Sequence, residues 1–219
     1  MKNERIFPKM LCAQVITRVP DSLAKELRLR EDQKSICVFT ATMDDFVYIG
    51  GDDATKKADV ELVYAKSMFG GISCASTLLQ GEGVGILAGP DVSQVLAALD
   101  TLQEFERNQT IYGTICNDEG NMAYFTYCIS SVGTYFSKLL NIPIGSSLAY
   151  LGAPPAESIY AVDAALKASN AELVAFSGPP TETNWGGAMM VGSQSDCVAA
   201  ASAWERAVRE VAEKHICIS

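Results

Sequence analysis

Histidine is almost missing from this 219-residue chain. The single one, His215, sits four residues from the C-terminal end, after a charged helical pattern. One histidine excludes an HExxH zinc pair and any multi-histidine metal cluster, and it leaves little room for a Ser-His or Cys-His nucleophile pair. His215 itself reads as a partly exposed residue near a helix C-terminus. Cysteine is present seven times (Cys12, Cys37, Cys74, Cys116, Cys128, Cys197, Cys217), but the number is odd and no CxxC spacing occurs. Reduced thiols are the economical reading, most of them small buried hydrophobes. Long apolar runs are lacking too. The least charged stretch, 120–156, is broken by Lys138, Pro143, Pro154 and Pro155, where a membrane span needs about 20 mostly apolar residues. The start, Met1 to Arg5, lacks the apolar centre of a secretory signal. The expectation is a cytoplasmic protein in which the sequon Asn108-Gln109-Thr110 goes unglycosylated.

Positive charge is also scarce: 17 Lys and Arg stand against 26 Asp and Glu, a net charge of −9. An acidic surface repels phosphate backbones and anionic lipid, which argues against nucleic acid or a membrane surface as partner. A small cation suits it better. The glycine-rich stretch Gly81-Glu82-Gly83-Val84-Gly85 precedes an apolar strand, whereas a phosphate loop follows one, and it places a carboxylate where phosphate would lie. It reads as a glycine turn.

Hydrophobic residues make up 48% of the chain and charged ones 20%, which excludes disorder and coiled coil and fits a packed globule. Its length allows one large domain or two small ones. Internal repetition favours two. Tyr48-Ile49-Gly50-Gly51 resembles Tyr150-Leu151-Gly152-Ala153 at an offset of 102, and Gly83-Val84-Gly85-Ile86-Leu87-Ala88-Gly89 resembles Gly186 to Gly192 at 103. Val19, Leu23, Lys25 and Leu27 face Val132, Phe136, Lys138 and Leu140 at 113. On that alignment the first half carries about eleven extra residues before its Tyr48 segment, including Asp44-Asp45.

The pattern predicts strands at 9–19, 35–39, 46–49 and 84–88 in the first half, with helices at 21–29, 53–67 and after Gly89-Pro90-Asp91, Pro90 being in that helix's first turn. In the second half it predicts strands at 122–129, 148–151, 172–176 and 187–191. The second-half helices are expected at 131–140, 156–168 and 195–213. Strands alternating with helices at these lengths describe an α+β fold of about 100 residues present twice. The expected domains are 1–110 and 111–219.

The residues Asp44-Asp45, Tyr48-Ile49, Asp53-Ala54-Thr55-Lys56 and Gly89-Pro90 resemble the bacterial microcompartment shell proteins. Ala149-Tyr150-Leu151, Ala153-Pro154-Pro155, Asp163-Ala164-Ala165-Leu166-Lys167 and Pro179-Pro180-Thr181-Glu182-Thr183-Asn184 narrow the likeness to tandem-domain members from ethanolamine-utilization compartments. The resemblance spans essentially the whole chain. It implies two circularly permuted microcompartment (ferredoxin-like) domains and a homotrimer that looks like a hexamer. It further implies tiling with other shell proteins, a gated central pore, and ethanolamine in a smaller pore in each subunit. A wide central pore would also suit a bulky cofactor such as cobalamin. No catalytic residue, bound cofactor or metal is expected.

The ligand set carried over from the resemblance is Asp44, Asp45, Glu82, Tyr112, Glu182, Thr183 and Asn184. Chemically, an ammonium needs carboxylates and a hydroxyl needs polar donors or acceptors. Taken without the resemblance, Asp44-Asp45 is a solvated turn, Glu82 a turn carboxylate, and Thr181 to Asn184 an irregular loop. Trp185 and Trp204 read as packing residues, and Met189-Met190 as core filling. The alternative is a soluble α+β protein that binds or turns over an amino alcohol, with Asp45 and Glu82 as general acid and base.

Overall fold

The computed structural model describes residues 3–68, 77–179 and 181–214. His215, Cys74, Cys217 and Pro180 lie outside the described residues. In chain order the strands are β1 (Glu4–Ile6), β2 (Met10–Ile16), β3 (Ser35–Ala41), β4 (Glu61–Ser67), β5 (Gly83–Gly89), β6 (Gly113–Ile115), β7 (Ala123–Ile129), β8 (Ser147–Ala153), β9 (Glu172–Ser177) and β10 (Gly186–Gly192). The helices are α1 (Asp21–Glu26), α2 (Asp44–Lys57), α3 (Val92–Arg107), α4 (Thr134–Leu140), α5 (Pro155–Ala168) and α6 (Gln194–Glu213).

These elements form two compact units. One comprises Pro8–Ile111 with Gly133–Leu139, and the other Met1–Phe7, Tyr112–Val132 and Leu140–Ser219. Residues 3–7, Ile111 and residues 133–139 thus sit in the opposite unit from the one a single cut after residue 110 would assign them.

In the first unit the sheet order is β2-β3-β5-β4, all antiparallel. Side chains alternate across the pleat, so each strand serves two layers. Cys37, Phe39, Ala41 and Leu87 point to one face and bury against Phe46, Val47 and Ala54 of α2 and Val95, Ala98 and Leu102 of α3. Ile36, Ile86 and Ala88 point to the other and meet Val19, Ala24 and Leu27 around α1. In the second unit the order is β1-β6-β7-β8-β10-β9. There Leu151, Ala153, Ala188 and Met190 pack against Ala161 and Ala165 of α5 and Cys197, Ala200, Trp204 and Val208 of α6.

The series β2 to α3 and β7 to α6 repeats the same element order and the same four-strand arrangement. The α+β repeat expected from the sequence is therefore present, but its alignment needs correction. Tyr48 lies on helix α2 and Tyr150 on strand β8, so their match at offset 102 is coincidental. Helix α2 corresponds to α5 at offset 111, and Asp44 takes the place of Pro155. The first half's extra residues fall between β4 and β5: 68–82 there, against 178–185 between β9 and β10. Asp44 and Asp45 belong to no insertion. They form the first turn of α2, where carboxylates favour the positive end of the helix dipole.

Three further expectations give way. The predicted strand 46–49 and helix 53–67 are helix 44–57 and strand 61–67. The β-branched and aromatic run Phe46–Ile49 has strand propensity, but Phe46, Val47, Ile49, Gly50 and Ala54 bury together only on a helix, and tertiary packing overrides the local preference. Gly50 and Gly51 allow this helix to sit close, since added Cβ atoms would lie 3.1 Å from Leu102 and 2.7 Å from Leu62. Pro90 precedes the Asp91 N-cap and so lies outside the first turn of α3. Strands β1 and β6, three residues each, carry too short a pattern to be read in advance.

Candidate functional site

Three segment ends meet beside Asp44: the start of α2, the end of β4 and the turn into β5. Two glycines make this possible. Gly81 has φ +65°, and a Cβ there would stand 2.1 Å from the Ala41 carbonyl oxygen. A Cβ on Gly83 would stand 2.8 Å from Asp44 Cα. Without side chains, the turn presses directly on the first residue of the helix. Glu82, between them, is pinned through its backbone: its N–H donates to Ala41 O at 2.9 Å, and its carbonyl accepts the Met68 N–H at 2.7 Å.

The carboxylates of Asp44 and Glu82 are near enough to sense each other. Burial, and then the charge of Asp44, hold the Glu82 carboxyl above the usual carboxylate range. Asp44 Oδ1 accepts the Asp45 N–H at 3.0 Å and Oδ2 accepts the Ser67 hydroxyl at 2.6 Å. The Ser67 hydroxyl also lies 2.7 Å from the Tyr48 hydroxyl. The Tyr48 ring stacks on Tyr135, centroids 6.2 Å apart at 15°. A close pair of half-buried carboxylates is suited to a small cation with N–H donors.

The remaining residues of the expected ligand set lie in the other unit. The Tyr112 ring is covered by the Arg5 guanidinium at 4.2 Å, with the Phe7 ring edge-on at 5.8 Å. Glu182, Thr183 and Asn184 form a turn in which the Asn184 N–H donates to Thr181 O at 3.0 Å. Asn184 has φ +63° and occupies the position of Gly81 in the repeat. The turns match, but the acids do not: Glu82 corresponds to Trp185, and Glu182 is an exposed residue aligned with Leu79. With Pro155 opposite Asp44 and Trp185 opposite Glu82, the carboxylate pair exists in one copy of the repeat only.

Ser67 and Tyr48 were not among the residues expected from the sequence. Ser67 ends a strand and Tyr48 was assigned to one, so nothing in the pattern brings either to Asp44. Two of the described thiols fit the sequence reading. Burial pushes Cys37 and Cys128 up to about 11, which keeps them protonated and unreactive at neutral pH. Trp204 is fully buried. Among the described residues, no group of three or more His, Cys, Asp or Glu is placed to hold a metal, and no helix is long and apolar enough to cross a membrane.

Two tandem α+β units of this strand order are the architecture of bacterial microcompartment shell proteins. No family model matches the chain, yet known shell proteins match it from end to end. The microcompartment shell protein EutL of Clostridium perfringens is 44% identical over 212 residues, 97% of each chain. The EutL shell protein of Salmonella typhimurium is 36% identical over 211 residues, 96% of each. The crystal structure of the ethanolamine utilization protein EutL from Leptotrichia buccalis superposes with a TM-score of 0.96 at 46% identity, covering all of both chains. The chain belongs to the EutL family of bacterial microcompartment shell proteins. Its role is that of a structural shell protein, not an enzyme, and its place is the microcompartment shell.

Proposed function

We propose that this shell protein binds ethanolamine through Asp44 and Glu82, with Asp45 adding negative potential, and that occupancy favours the closed central pore of a homotrimer. One observation carries the binding: the Asp44 carboxylate, held by the Asp45 N–H and the Ser67 hydroxyl, lies near enough to the half-buried Glu82 carboxyl to raise it, at a turn that two glycines let pack against the start of α2. A cation with three N–H donors relieves their repulsion and is bound by charge-assisted bonds. The trimer is what the resemblance implies, and the repeat is consistent with it, since three chains of two units supply the six units of a hexamer-like ring. Binding shifts the pore equilibrium only by its differential affinity for the two arrangements. Calorimetric titration with ethanolamine tests the site. Millimolar or tighter binding that is lost in Asp44→Asn supports it, and equal binding by that variant refutes it. Sedimentation should give about three times the 23.5 kDa chain mass, and a monomer at every concentration would refute the assembly.

A further inference from the structure

The Asp44 carboxylate is backed by two hydroxyl groups, those of Ser67 and Tyr48. We propose that Ser67, backed by Tyr48, is a positioning residue that fixes the Asp44 carboxylate for cation binding, an inference that rests on the Asp44–Glu82 site.

The direction of the bonds follows from proton counting. A serine hydroxyl has one proton to give. Ser67 donates it to Asp44 Oδ2 at 2.6 Å, so across the 2.7 Å contact Tyr48 must be the donor and Ser67 Oγ the acceptor. The relay therefore runs from the Tyr48 O–H to the Ser67 O–H to the Asp44 carboxylate, each bond polarising the next. It ends on a charged acceptor, where hydrogen bonds are shortest and strongest. At the other oxygen the Asp45 N–H donates to Oδ1 at 3.0 Å. These bonds, reaching both oxygens, fix the plane of the carboxylate.

The placement of the relay is also specified. Ser67 pairs with Gly83 in the β4–β5 ladder, so the strand that carries it is registered against the same turn that presents Glu82. Tyr48 lies one helical turn beyond Asp44, on the same side of α2. Its ring cannot swing freely, because Tyr135 stacks on it. Tyr135 comes from the second repeat's 133–139 segment, which is built into this unit. The orientation of a carboxylate in the first repeat is thus held by an aromatic ring of the second. Preorganisation of this kind favours affinity by removing the cost of ordering the carboxylate on binding.

The test is a calorimetric titration of the full-length protein with ethanolamine at constant pH, with thermal unfolding recorded on the same samples. The variants are Ser67→Ala, Ser67→Thr, Tyr48→Phe and Asp44→Asn. Ser67→Ala is expected to weaken binding about three- to tenfold, less than the full worth of a bond to a charged group because the Asp44 carboxylate itself remains. Ser67→Thr, which keeps the hydroxyl, should restore affinity to within about twofold at a similar melting temperature, a rescue that a purely structural effect would not give. Tyr48→Phe should give a smaller loss than Ser67→Ala, since Ser67 still donates. Wild-type binding lost in Asp44→Asn but unchanged in Ser67→Ala overturns the positioning role while leaving the site intact. Equal loss in Ser67→Ala and Ser67→Thr also overturns it. No binding by the wild type, or full binding by Asp44→Asn, overturns the site reading and this inference with it.

Discussion

The Gly133 N–H donates to Asp52 Oδ2 at 2.7 Å across 81 positions of sequence. The same carboxylate accepts the Phe136 N–H at 3.1 Å through Oδ1, and the Thr55 hydroxyl oxygen accepts the Thr134 N–H at 3.0 Å. Together they satisfy N–H groups at the start of α4 that the helix itself leaves without partners. Asp52 is 1% exposed. Lys138 at the far end of α4 pairs with Glu61, which also pairs with Arg30. A stretch of the second repeat is thereby locked into the unit built by the first.

Replacing Asp52 by alanine should destabilise the protein by about 2–4 kcal/mol, because it strands two buried N–H donors and leaves a small cavity. Denaturant unfolding checks this. A loss below about 0.5 kcal/mol would show that the bonds contribute nothing net.

Glu82→Gln should raise thermal stability at neutral pH while abolishing ethanolamine binding. Burial and the nearby Asp44 raise the Glu82 carboxyl in the folded state. The folded protein then holds that proton more tightly than the unfolded chain does. Its stabilising effect is present below the ordinary glutamate value and is lost as pH rises through the raised one. Removing the charge removes that loss. Melting curves from pH 4 to 8 should therefore converge at the acid end and separate at the neutral end.

The pH dependence of binding has the opposite sense. An ammonium requires ionised carboxylates, so affinity should fall as pH is lowered, beginning above the usual carboxylate range because Glu82 is raised. The fall should approach tenfold per pH unit while one proton competes with one cation. Titrations from pH 5 to 8 measure the slope, and a flat profile would exclude Glu82 from the site.

Gly81→Ala should cost more than about 2 kcal/mol, since it adds the strain of a positive φ to a 2.1 Å contact with a backbone oxygen that cannot step aside. Ethanolamine affinity should fall with it, because the turn that carries Glu82 has to shift. Thermal unfolding and titration of the same sample test both effects.

Much of the fold is legible along the chain. The strand at Val84–Ala88, the heptad-like helix after Asp91 and the second-half series from 147 to 213 follow from apolar spacing alone, and the structure has them within a few residues. The failures cluster at 44–67. There Phe46, Val47 and Ile49 favour a strand locally, and Val60, Val63 and Tyr64 fit a helical stripe. Only the packing of α2 on Leu62 and Leu102 reverses both assignments. The site is legible in part. Asp44 and Glu82 were picked out through a family likeness, whereas Ser67 and Tyr48 were invisible, since no pattern joins a strand end to a helical tyrosine.

The sequence by itself determines that the protein is an acidic α+β repeat with a single histidine, because composition and periodicity are properties of the chain. The tertiary structure alone decides which acids meet. Asp44 lies 38 positions from Glu82, and the glycines that let them approach act only once β4, β5 and α2 have converged. It also decides that residues 133–139 belong with the first repeat, for the Asp52 carboxylate that holds them gains its bonds only in a dry interior.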